Sequence, residues 1–288
     1  MKNVFWKILK TIGNVAAAIL ILILAQLVSG IIGGMLPDPC IGDIISAVLY
    51  IAAALGLGIL YAKYVLHLTP AQLGVKRKAP ELKWVLTGIL LPVLVSVFYL
   101  VFMDGELIKN DRLTRVYPTV IFAVFTTGLG GGIVEELVFR GLIMRTMEKY
   151  WGKTIAILVP SFLFGAVHLA NMSSWHLLDA VLLLLAGTMV GVMFSLIAYQ
   201  SGTVWSSAVV HGIWNVVIIG GILEIGAANY DMRIDSIWQY KLASSNFLIT
   251  GGAFGIEAAL PAMIGYALVS IVAIGGERCS TDQLARTE

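Results

Sequence analysis

From Thr11 to Pro37 the chain carries no charged side chain, and apolar stretches of similar length recur to its end. A hydrocarbon bilayer needs about 20 such residues per helical crossing. Stretches of this kind lie near 12–36, 44–66, 84–103, 117–138, 155–171, 177–199, 203–224 and 252–274. They predict eight helices, the fifth being the weakest because Pro160, Ser161 and His168 interrupt it. The composition agrees: the 288 residues are 59% hydrophobic and only 12% charged, with a mean hydropathy of +0.91. Soluble domains are about a quarter charged, so a soluble globular surface is excluded. The fold class expected is all-α and polytopic in the membrane. It comprises a single transmembrane domain over 1–275 with a motif core about 118–224, and a short polar tail over 276–288, read as disordered.

The first apolar stretch follows Lys2, Lys7 and Lys10 but is longer than the 7–15 residues of a cleavable signal, so an uncleaved first span is expected. With loops assigned alternately from an inner N-terminus, 13 of the 19 Lys and Arg residues fall inside, among them Lys76, Arg77 and Lys78. Five fall outside, Lys109, Arg112, Arg115, Arg233 and Lys241, and Arg140 lies within a span. This bias places both termini in the cytoplasm of a cell membrane. The basic runs are read as topology determinants beside anionic headgroups. No aromatic-interleaved basic stripe suggests nucleic acid. Cys40 and Cys279 fall on opposite faces and form neither a disulfide nor a metal cluster.

Against this apolar background, Glu135, Glu136 and Arg140 stand at the end of the fourth span, with His168 on the fifth and His211 and Asn215 on the seventh. A charged group at bilayer depth costs roughly 2.5–3.5 kcal/mol on insertion scales, so such groups mark functional sites by default. Residues four apart share a helix face, which lets Glu136 pair with Arg140 while Glu135 points about 100° away. Glu135 lies 17 residues before Gly152 and His168 lies 16 after it. The two arms of that hairpin are therefore about 25 and 24 Å long, and both residues reach one level. His211 is only nine residues, about 14 Å, from the turn at Gly202. For it to join them, the hairpin around Gly152 must reach some 10 Å further than the Gly202 turn.

The patterns Glu135-Glu136-x-x-x-Arg140, Phe164-x-x-x-His168 and His211-x-x-x-Asn215, in this order on successive spans, resemble the three motifs of the CAAX prenyl endopeptidase and bacteriocin-processing (Abi) family of intramembrane proteases. The segment Leu68–Val75 resembles the linker that bacterial members carry before the third helix. The resemblance implies a glutamic endopeptidase in which Glu135 and His168 activate water and His211 with Asn215 forms an oxyanion hole. Glu136, Arg140 and Phe164 then orient the site. It implies no cofactor and a membrane-associated peptide or protein as substrate, in peptide maturation, bacteriocin immunity or envelope signalling.

Ordinary roles exist for the same residues taken one at a time. A Glu–Arg pair on a membrane helix is usually a packing device, His67 and His176 lie at span ends, and Gly128, Gly130, Gly131 and Gly132 are of the kind that lets helices approach closely. Glu135, His168 and His211 could also supply three zinc ligands. The metal-free reading is preferred because Asn215 is a poor zinc ligand and a good oxyanion donor. No H-E-x-x-H sequence is present. A second functional reading keeps the cavity as a docking site in a non-catalytic scaffold or regulator that binds a sensor kinase or peptide transporter.

Overall fold

The computed structural model describes residues 2–109, 116–172, 176–227 and 236–285, so Arg112, Arg115, Asp231, Arg233 and Asp235 of the outer segments lie outside the described residues. Eight long helices carry the fold: α1 (Lys2–Gly34), α2 (Pro39–Leu66), α3 (Leu82–Phe102), α4 (Val116–Trp151), α5 (Lys153–His168), α6 (Leu177–Ser201), α7 (Val204–Ile219) and α8 (Leu260–Ala285). Among the described residues, α1, α2, α3, α4 and α6 are long and apolar enough to cross a membrane, while α5, α7 and the first part of α8 are shorter apolar helices. Large apolar side chains such as Leu94 and Ile271 are more than 60% exposed on the outer faces. That surface suits lipid rather than water.

Local chemistry sets the ends of these helices. Asp38 caps α2 by accepting from the Cys40 and Ile41 amides at 2.8 and 3.2 Å, with Pro39 as the first helical residue. His67 ends α2 in a left-handed conformation (φ 54°) and donates its amide to Ala62 O. The eighth helix begins later than its apolar stretch suggests because Gly251, Gly252 and Gly255 all have positive φ and break the chain into short turns before Leu260. It then runs through the polar residues after Gly275, expected as a tail, to Ala285.

Small extramembrane pieces add what the hydropathy pattern does not show. Strands β1 (Gly105–Lys109), β2 (Leu223–Ala227) and β3 (Trp238–Leu242) form a sheet in the order β1-β3-β2. β3 pairs antiparallel with β1 and parallel with β2. Tyr240 ties the sheet to the end of α3 by donating to Met103 O at 2.8 Å. On the opposite face, Lys78 and Lys83 bracket Glu81 at 3.0 and 3.1 Å. Partial burial works to raise the Glu81 carboxyl, but its bonds to Lys78 and Lys83 prevail and hold it below the ordinary carboxylate range.

The loop after α2 also fixes the relative depth of the helices. Leu73 O lies beside Gly141 of α4, and Gly74 O accepts from the Val204 amide at 3.1 Å. The turn before α7 is thus level with Gly141, and α4 continues past it to Trp151. The hairpin at Gly152 extends further than the Gly202 turn, as the positions of the polar residues require.

Among the described residues two large apolar clusters fill the interior, with a smaller one of Leu182, Ala186, Ala258 and Met263. One large cluster joins α1, α2, α4 and α5 through Tyr50, Leu137, Phe139 and Phe164. The other joins α3, α6, α7, α8 and the sheet through Tyr99, Phe194, Trp214 and Tyr266. Glycines let the helices of the functional region touch backbone to backbone. A Cβ on Gly187 of α6 would stand 2.6 Å from the Gly165 Cα of α5, and one on Gly132 of α4 would stand 2.8 Å from the Gly212 Cα of α7. Association in lipid relies on such close packing because water does not drive it. Gly187→Ala should therefore lower the thermal midpoint in detergent, consistent with an overpacking cost of about 1–3 kcal/mol. Gly56→Ala, where nothing lies within 4 Å of the new methyl group, should leave the midpoint unchanged or slightly higher. Equal midpoints for both variants would mean that α5 and α6 do not meet at these glycines.

Candidate active site

The four polar motif positions of α4, α5 and α7 meet at one cavity of about 500 Å³, lined by Glu135, His168, His211 and Asn215. Helix α4 does not run through the site as a regular α-helix. Residues Phe122–Gly131 and Leu137–Ile143 are π-helical, and the single α-helical turn between them, Gly132–Glu136, carries both carboxylates. Asn215 likewise opens the π-helical turn Asn215–Ile219 that ends α7. Such wider turns are frequent at functional sites.

The two adjacent glutamates have different surroundings. Glu136 is fully buried, and its Oε1 accepts from Arg140 Nη1 at 2.8 Å. The same oxygen accepts from His211 Nδ1 at 3.1 Å. Arg140 is also fully buried; its Nη2 donates to Gly191 O of α6 at 3.0 Å. Its guanidinium lies 4.7 Å from the Phe164 ring and 5.2 Å from the Phe194 ring. Glu135 keeps 24% of its side chain exposed, toward the cavity, and its Oε2 stands 3.8 Å from His211 Nε2, too far for a hydrogen bond. The Glu136–Arg140 pairing and the separate direction of Glu135 follow from their spacing in the helix. The contact of Glu136 with His211 does not, because it joins residues 75 apart in the chain.

Hydrogen bonding fixes the histidine tautomers. His168 Nδ1–H donates to the Phe164 carbonyl at 2.7 Å, since a carbonyl only accepts, and this leaves Nε2 for the cavity. Phe164 thus acts through its backbone on His168 and through its ring on Arg140. His211 Nδ1–H donates to the Glu136 carboxylate, and its ring stacks on Phe194 at 4.7 Å with the planes 18° apart. Asn215 Nδ2 donates one N–H to Thr127 O at 3.0 Å and has a second to offer. Gly131 makes room for this convergence. A Cβ there would lie 3.2 Å from Asn215 Nδ2 and 3.7 Å from Glu135 Oε1.

Among the described residues no three His, Cys, Asp or Glu side chains form a ready ligand group. Several lining residues escaped the motif reading, among them Tyr50 from α2, Phe194 from α6 and Glu257 from the turn before α8. Tyr50 and Phe194 look like ordinary apolar-span residues in the sequence, and Glu257 falls inside an expected span; none has a spacing that would single it out. Glu136 with Arg140 is the structural hinge of the site, and removing one member of a buried pair typically costs about 3–5 kcal/mol. Arg140→Ala should therefore lower the thermal midpoint and the yield of folded protein. An Arg140→Ala protein as stable as the unmodified chain would mean that the pair does not hold the helices.

The sequence model of the family described as type II CAAX prenyl endopeptidase Rce1-like matches residues 117–217, from the start of α4 to the π turn that ends α7. No curated protein and no solved structure matches the chain. The matched segment, about a third of the chain, contains every motif residue at the cavity, and over it the chain is similar to the type II CAAX prenyl endopeptidases.

Proposed function

We propose that the cavity hydrolyses a peptide bond with Glu135 as general base and without a metal. The observation that carries this reading is the unequal treatment of the two carboxylates: Glu136 is fully buried and bound through Oε1 to Arg140 and His211, while Glu135 keeps 24% of its side chain exposed at the cavity. Uncompensated charge in an apolar interior is costly. Arg140 balances one of the two carboxylates. In the proposed reaction Glu135 acts as the carboxylate and His211 donates to the cavity through Nε2–H.

Each group has a step in the reaction. Water held between Glu135 and the free Nε2 of His168 attacks the scissile carbonyl carbon, and Glu135 takes its proton. The carbonyl oxygen gains the negative charge and receives hydrogen bonds from Asn215 Nδ2–H and His211 Nε2–H. When the C–N bond breaks, the proton on Glu135 passes to the leaving nitrogen, which restores the carboxylate. The substrate is a membrane-associated peptide or protein segment. The protein lies in a cell membrane with both termini in the cytoplasm, supported by the 13 to 5 distribution of basic residues outside the spans.

A purified preparation in lipid nanodiscs, offered a pool of apolar peptides that includes one ending in a farnesylated CAAX sequence, tests the chemistry by mass spectrometry. The unmodified protein should cleave, and Glu135→Gln should abolish cleavage at an unchanged thermal midpoint. Asn215→Ala should lower kcat by about 100- to 1,000-fold with KM little changed. Chelators should have no effect; activity lost on chelation and restored by zinc would overturn the metal-free assignment. A well-folded wild-type protein that cleaves nothing in the pool would favour the scaffold reading. For orientation, a cysteine at position 78 should resist an impermeant thiol reagent in intact cells, and labelling from outside would reverse the topology.

A further inference from the structure

Next to Glu135 the cavity wall contains a hydroxyl that the three motifs do not supply. Tyr50 of α2 is 9% exposed and lines the cavity. Its ring packs beside Gly130, where a Cβ would stand 3.4 Å from Cδ1. Gly130 immediately precedes Gly131, the glycine over which Asn215 and Glu135 converge.

Most other hydroxyls around the cavity are engaged or enclosed, Ser46 of α2 being an exception. Thr127 Oγ1 donates to Ala123 O at 2.7 Å and Tyr266 to Glu257 O at 3.0 Å. Thr126 Oγ1 is sealed from the surface. The Tyr50 hydroxyl makes no hydrogen bond to another described residue, yet it is not among the sealed polar atoms. A phenol O–H with no partner can serve as a donor.

Resting on the glutamate reading above, we infer that Tyr50 is a further catalytic residue, whose O–H donates to the carbonyl oxygen as it becomes an oxyanion, beside Asn215 and His211. No proton leaves Tyr50 in this role. The water proton still travels through Glu135, and the phenol stabilises only the charge that forms on oxygen. The donor set then comes from α2 as well as α7, so the hole is complete only when the second helix is packed against α4.

Tyr50→Phe retains the ring against Gly130 and removes only the hydroxyl. With the peptide from the pool that the unmodified protein cleaves, the variant should lose about 100-fold in kcat, with KM within about twofold and an unchanged thermal midpoint. Tyr61→Phe, on the same helix, serves as control. It removes a hydroxyl bonded to Asn14 Oδ1 at 2.7 Å, away from the cavity, and should leave kcat unchanged. If Tyr50→Phe kept wild-type kcat while Glu135→Gln was inactive, the role of Tyr50 would be overturned and the glutamate mechanism would stand. A rise in KM at constant kcat would overturn it too, because the hydroxyl would then be holding the substrate's ground state. Activity in Glu135→Gln, or no cleavage by the wild-type protein, would remove the mechanism and the role of Tyr50 together.

Discussion

One carboxylate oxygen, Oε1 of Glu136, holds the centre of this protein together. It accepts from Arg140 on its own helix and from His211 on α7, and Arg140 reaches on to Gly191 O of α6. Charges removed from solvent are tolerated when paired and hydrogen-bonded, and here the aromatic faces of Phe164 and Phe194 flank the guanidinium as well. Three helices are thereby fixed in rotation and depth. The orientation of His211, and with it the hydrogen-bonding face it turns to the cavity, follows from this one contact.

Close helix packing makes the contact possible. Gly132 against Gly212 brings α4 and α7 into backbone contact, and Gly165 against Gly187 does the same for α5 and α6. A methyl group at Gly132 or Gly187 would stand 2.8 or 2.6 Å from the facing glycine Cα, so the helices would have to move apart. The π-helical turns on either side of Gly132–Glu136 add a second adjustment, shifting the phase of α4 above and below the carboxylates. Small residues and irregular turns thus concentrate where polar side chains must meet, while the lipid-facing parts of α1 and α3 are regular and apolar.

Neighbouring, chemically identical residues acquire different functions in this arrangement. Glu136 faces the packed interior and binds Arg140 and His211 there; Glu135, one residue earlier, faces the cavity. The distinction needs no difference in chemistry, only the 100° rotation between successive residues of a helix. The seam between the two apolar clusters supplies the cavity, with Phe164 from one and Phe194 from the other closing on Arg140. Aromatic packing and charge placement are therefore parts of a single interface.

The sequence by itself determined the eight helices, because a bilayer crossing demands a long uncharged run that hydropathy displays directly. It also determined the Glu136–Arg140 pair and the common level of Glu135 and His168, since both depend on spacing along or around one hairpin. Helix ends were less legible: positive-φ glycines delay α8, and α7 gives way to a buried strand at Leu223 although both segments are apolar. Only the tertiary structure decided that His211 binds Glu136, that Tyr50 and Phe194 face the cavity, and that β1 pairs with β3 across more than a hundred residues. Those contacts join segments whose separation in the chain carries no periodic signal. They are set by how helix and strand surfaces fit together, which a single sequence does not display.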